Sequence, residues 1–188
     1  SMSEFFETAF GNGLLREYGN GLLTTLYLVV VCTAFAYLIG VPLGVILCIT
    51  DKDGIRPQRA VNKVLGLIVN IFRSVPFVIL LVMALPLTKI IVGTKVGDTA
   101  FLVPLVLAAA PFVARMVESS LKEVDAGVIE AAQAMGSSNW QIIYKVLLPE
   151  AKPSLLVGGA IAVTTILGYT PLATLVGGGG LGAVAVQY

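Results

Sequence analysis

Three constellations in the chain are of the kind that could act on another molecule. The first is Glu130-Ala131-Ala132, with Gly136 four positions after the second alanine and Leu148-Pro149 twelve and thirteen positions after that glycine. It lies in the only sizeable polar stretch, between runs too apolar for water, so its chemistry is docking rather than bond making. The second is Gly168-Tyr169-Thr170-Pro171 with Leu172 and Leu175, a helix-breaking series inside an uncharged run. Irregular backbone at membrane depth is tolerated only where it is buried or lines a cavity, which makes this the candidate permeation path. The third is Arg73-Ser74-Val75-Pro76-Phe77, where one arginine interrupts an apolar run. Arg73 reads equally as an interfacial anchor and as a functional cation.

Catalytic chemistry is poorly provided for. The chain has no histidine, the commonest general base and metal ligand. Cys32 and Cys48 fall in one apolar run, and sixteen residues of helix part them by about 24 Å, too far to bridge. No Gly-x-x-x-x-Gly-Lys-Ser/Thr phosphate loop is present, so the chain is not itself an ATPase.

The elements that must position these groups are membrane spans. Of 188 residues, 57% are hydrophobic and 12% charged, with a mean hydropathy of +0.94. Soluble domains carry about a quarter charged residues. Residues 1–21 form an N-terminal segment with Glu4, Glu7, Arg16 and Glu17 among Phe5, Phe6 and Phe10, either an interfacial helix or a frayed terminus. They lack the basic-then-apolar order of a signal peptide. A first long, tilted span is expected over residues 22–49, kinked at Gly40-Val41-Pro42-Leu43-Gly44. Residues 51–59 are a loop and 64–72 a helix at the membrane face. The second span starts near Arg73, because a charge at mid-span costs about 2.5–3.5 kcal/mol, and Pro76 suits the first turn of a new helix. Residues 99–114 make the third span, close-packed and broken at Pro111. The fourth covers residues 154–176, kinked near Pro171, with a flexible or re-entrant turn at Gly177-Gly178-Gly179-Gly180.

The polar stretch itself, residues 120–152, reads as two short helices. Asp125 caps the first, whose apolar stripe is Val128, Ile129, Ala132 and Met135, and Gly136 takes the left-handed closing position. Ser138 and Gln141 form a capping box for the second, with Trp140, Ile143 and Leu147 as its apolar face and Pro149 as its stop. Two helices joined at a glycine also suit a DNA-binding helix-turn-helix. Three basic against five acidic residues from Glu118 to Lys152 exclude that use. Lys52, Arg56, Arg59, Lys63, Arg73, Arg115, Lys122, Lys145 and Lys152 gather on one side of the membrane, against Arg16, Lys89 and Lys95 on the other. The positive-inside rule makes the richer side cytoplasmic and the N-terminus extracytoplasmic.

The spacing of Glu130, Ala131, Ala132, Gly136, Leu148 and Pro149 resembles the cytoplasmic EAA loop of ABC importer permeases, with Val146 where the family has isoleucine. Asn70 to Val82, the Ala109-Ala110-Pro111-Phe112 and Ala114-Arg115-Met116-Val117-Glu118 stretches, and Gly177 to Gly182 are similar to the methionine importer permeases. The resemblance implies an all-α polytopic membrane protein, a type I ABC importer permease of one transmembrane domain (residues 1–188). At least four spans fall here and a fifth is expected beyond Tyr188. It implies a multi-pass protein of the bacterial inner membrane that works as a homodimer, with no cofactor of its own. ATP with magnesium would sit on two cytoplasmic ATPase subunits, and a methionine-binding protein would dock outside. Glu130, Ala131, Ala132, Met135, Gly136, Leu148 and Pro149 would meet the ATPase, Met135 as an adaptable apolar contact. Gly168, Tyr169, Pro171, Leu172 and Leu175 would line the path. A permease for another amino acid or small solute, or a membrane scaffold that moves nothing, are the alternatives.

Overall fold

The computed structural model describes Met2, Glu7 and residues 11–187, and every regular element among them is helical. The expected Phe5, Phe6 and Phe10 face of the N-terminal segment, with Glu4, lies outside the described residues. The first helix, α1 (Asn12–Thr50), is a single run of 39 residues, about 58 Å long at helical rise. It starts ten residues ahead of the expected span, so residues 12–21 continue into it without a break.

Pro42 lies inside α1 without ending it, and α4 (Asp98–Lys122) likewise passes through Pro104 and Pro111. The broken helix expected at Pro111 is therefore absent, and α1 is unbroken across residues 40–44. Packed neighbours can support a helix past a missing N–H in a membrane protein, and α1 and α4 lie along each other. Gly40 and Gly44 serve that contact. A Cβ on Gly40 would stand 2.7 Å from the Val113 Cβ, and one on Gly44 would stand 2.5 Å from the Ala114 carbonyl oxygen. Two glycines one turn apart let the backbones meet where no larger residue fits.

The helix α4 is the centre of the fold. Phe101, Leu105, Val113, Val117 and Leu121 are almost fully buried along it, and α1, α2 (Arg59–Ser74), α3 (Phe77–Val92) and α8 (Lys152–Tyr169) all pack on it. Between α2 and α3 the chain bends by 112°. Pro76 disfavours helical backbone at Val75, which is extended with ψ 125°, so the break falls where the sequence puts it. Val64, Leu67, Ile68 and Ile71 are exposed on α2, as suits an amphipathic helix lying across the direction of α3. Among the described residues three helices are long and apolar enough to cross a membrane, a fourth being counted if α2 and α3 make one broken span. Cys32 and Cys48 are buried and free.

The polar stretch forms α5 (Ala126–Ala134), α6 (Asn139–Ile142), a π-helical turn (Ile143–Leu147) and α7 (Leu148–Glu150), which leads into α8. Beyond α8 a 3-10 segment (Thr170–Val176), a glycine turn and α9 (Leu181–Gln187) follow, and α9 folds back against α1 and the 3-10 segment.

Candidate functional site

The polar stretch is built as the residues dictate. Asp125 accepts a hydrogen bond from the Gly127 N–H at 2.8 Å and caps α5. Gly136 closes it with φ 80°, a conformation most side chains resist. The Ser138 hydroxyl accepts from the Gln141 N–H, while the Gln141 side chain accepts from the Ser138 N–H at 2.9 Å. The capping box is complete.

Two expectations for the second helix do not hold. Trp140 is 70% exposed, and the inward face is Ile142, Ile143 and Leu147. Pro149 does not stop the helix, which continues through α7 to Ala151 and α8. Both follow from the π-helical turn, whose wider register rotates later residues relative to Trp140. It also falls just where Pro149 has no N–H to give, and the pattern resumes with the Ala151 N–H donating to Leu147 at 3.0 Å.

The candidate docking residues divide by exposure. Ala132 is buried against its own chain, at 3% exposure. Glu130, Ala131 and Gly136 are exposed, Leu148 is half-buried and Pro149 is exposed. Met135 is 79% exposed, and exposed Trp140 and Tyr144 lie with their rings 6.1 Å apart. An apolar sulfur side chain and two aromatics so exposed on a polar loop are an unfilled contact surface. Sequence reasoning turned Trp140 inward because i, i+3, i+7 spacing assumes a regular helix.

Beside the loop, an ion cluster ties three helices together. Glu118, with 8% of its side chain exposed, pairs with Arg115 at 2.6 Å and with Lys122 at 2.8 Å. Arg115 also donates to the Gly66 carbonyl and to Asn70 of α2. Lys122 reaches Asp51 after α1 at 2.6 Å. The Lys122 ammonium and the Lys52 N–H, both donating to Asp51, hold its carboxyl below the usual range. Glu130 faces this cluster across a cleft of about 470 Å³. The pairing of Asp51, Arg115, Glu118 and Lys122 was not read from the sequence, although Arg115 and Glu118 stand at i, i+3 and Glu118 and Lys122 at i, i+4.

At the other end of α8, Tyr169 is half-buried and stacks on Phe77 with ring centroids 4.6 Å apart. Leu172 is half-buried, whereas Gly168, Pro171 and Leu175 are exposed. A cavity of about 170 Å³ reaches from Tyr169 and Thr165 to Phe77 and Arg73. Arg73 is exposed and has no ion pair among the described residues. The glycine turn, expected to be flexible or re-entrant, is tied to two other helices: the Gly179 N–H donates to Asp98 at 2.6 Å and the Leu181 N–H to Thr25 at 3.0 Å.

Residues 40–187 match the family model described as binding-protein-dependent transport system inner membrane component. The chain is 52% identical to a probable D-methionine transport system permease protein of Vibrio cholerae serotype O1, over 87% of this chain and 73% of the relative. It is 46% identical to the D-methionine transport system permease protein of Escherichia coli K12, over 81% and 70%. A solved structure titled as inward facing conformations of the MetNI methionine ABC transporter superposes with a TM-score of 0.92 at 44% identity. That match covers 95% of this chain and 83% of the other. An amino acid ABC transporter shares the fold alone, with a TM-score of 0.69 at 21% identity.

Proposed function

Because this chain belongs to the family of binding-protein-dependent transport system inner membrane components, and so is a multi-pass permease of the inner membrane, we propose that it carries methionine inward. It does so as a homodimer with the N-terminus extracytoplasmic. ATP and magnesium are held by two cytoplasmic ATPase subunits, and this chain needs no cofactor. A methionine-binding protein delivers substrate on the outer side. Methionine as substrate is supported by the two bacterial relatives named for D-methionine.

The observation that carries the coupling part of this reading is the split within residues 120–152 between an exposed face and a buried one. Ala131, Met135 and Trp140 look outward, free to enter a groove on the ATPase. Ala132, Ile142, Ile143 and Leu147 look inward and join the same apolar core as Val113 and Val117 of α4. A push on the outer face therefore moves a packed body. The ion cluster at Glu118 passes that movement to α1 and to α2, whose bend into α3 borders the cavity under Tyr169. The 3-10 segment, with Tyr169, Pro171, Leu172 and Leu175, lines the path that opens and shuts.

The test is uptake of labelled methionine into vesicles holding this permease with its ATPase and binding protein. Uptake should require ATP and be competed by unlabelled methionine better than by other amino acids. Uptake persisting without the ATPase rejects the mechanism, and stronger competition by another solute rejects the substrate.

A further inference from the structure

The glycine turn after the 3-10 segment is held at both ends by groups from other helices. The Val176 carbonyl, the last of the 3-10 segment, accepts from the Gly97 N–H at 2.9 Å. Three residues on, the Gly179 N–H donates to the carboxylate of Asp98, the residue next to Gly97. The start of α4 thus holds the segment by backbone and side chain at once. From α1 the Thr25 hydroxyl, 3% exposed, accepts the Leu181 N–H. Gly177 and Gly180 have φ 67° and 97°, and a Cβ on Gly178 would lie 3.0 Å from the same carboxylate oxygen. A bulkier turn would lose the approach that Asp98 needs. Asp98 makes no ion pair among the described residues.

We infer that Asp98 and Thr25 are positioning residues for the translocation path: together they latch the turn at residues 177–180 and so fix the 3-10 segment. The inference rests on the reading of that segment as the path. A charged acceptor on a backbone N–H is among the stronger hydrogen bonds, so the latch is closed at rest. When α1 and α4 shift relative to each other, Asp98 and Thr25 move apart, and the turn can keep only one of them. Coupling between the ends of the molecule then runs along α4, from Glu118 to Asp98.

The experiment uses the assembled transporter with a cysteine at Thr170 of the 3-10 segment, 5% exposed in the closed structure, as reporter, followed by the rate of maleimide labelling. Asp98→Ala and Thr25→Val each remove one hold, the second at nearly constant shape, and Thr25→Ser keeps the hydroxyl. Labelling should rise about tenfold in the first two, the factor expected for losing one such bond from a closed–open equilibrium, and stay unchanged in Thr25→Ser. Unchanged labelling in both Asp98→Ala and Thr25→Val overturns the latch, whatever happens to transport. If labelling rises, methionine taken up per ATP hydrolysed should fall, with kcat for uptake affected more than KM. Increased labelling with an unaltered uptake ratio leaves the latch standing and removes the 3-10 segment from the path.

Discussion

Replacing Gly44 by alanine puts the α1–α4 seam under direct test. The added Cβ would meet the Ala114 carbonyl oxygen at 2.5 Å and the Val117 Cβ at 2.7 Å. Contacts of this type are most favourable near 3.5–4.0 Å, so the helices must part by about 1 Å. Neither obstacle can swing aside, since one is backbone and the other a β-branched carbon fixed to its helix. Overpacking of this kind costs about 1–3 kcal/mol, and chains of this length lose about 2–4 °C of melting temperature per kcal/mol. Gly19→Ala on the same helix is the control, since its Cβ meets nothing within 4 Å, and alanine is the better helix former by about 1 kcal/mol. Thermal unfolding of the purified protein in detergent should show Gly44→Ala several degrees below the parent and Gly19→Ala level with it or above. A Gly44→Ala protein as stable as the parent would refute the close seam. Equal losses in both variants would show that the Gly44 contact is not what sets the cost, since helix propensity favours alanine at both positions.

Three further outcomes follow from the loop and its neighbours. Met135→Ser with Trp140→Ser should weaken binding of the ATPase subunit by about tenfold or more, as loss of exposed anchor side chains does at interfaces; unchanged affinity by titration removes that face from the contact. Glu118→Gln keeps the shape of a buried carboxylate but leaves Arg115 and Lys122 without their shared partner. Each cation retains another acceptor, so the cost should sit near or below the low end of the 3–5 kcal/mol typical of breaking a buried pair, and an unshifted melting temperature counts against the cluster. The lowered Asp51 carboxyl stabilises the fold above the ordinary carboxylate range, and that stabilisation is lost as pH falls through its folded value. Asp51→Asn should therefore melt below the parent at pH 7, with the gap closing as pH falls below the ordinary carboxylate range; a gap as wide in strong acid as at pH 7 contradicts the assignment.

The legible parts of the chain were those in which one residue type fixes local backbone. Asp125, Gly136, the Ser138–Gln141 box and the break at Pro76 were all readable, because each acts within a few positions. What failed was set by a partner distant in sequence. The packing role of Gly40 and Gly44 went unseen because Val113 and Ala114 lie some seventy residues on. The hold of Asp98 on the glycine turn went unseen because Gly179 lies 81 positions away. Trp140 was turned the wrong way by one π-helical turn, which leaves no mark in a hydrophobic pattern. Within the docking stretch the spacing located the loop and set Ala132 on its apolar stripe, but it did not show that Met135 of the same stripe faces outward.

The seam between α1 and α4 also bears on how the chain is made. Synthesis proceeds from the N-terminus, so α1 is complete at Thr50 well before α4 ends at Lys122. At about 5–20 residues per second that interval lasts roughly 4–15 seconds. Throughout it, the notch at Gly40 and Gly44 faces lipid or the insertion machinery with its true partner not yet made. A notch shaped for a β-branched ridge accepts other ridges too, so crowded membranes or slowed translation favour mispairing at this site. Substitution at these two glycines should therefore lower yield during biogenesis as well as stability afterwards.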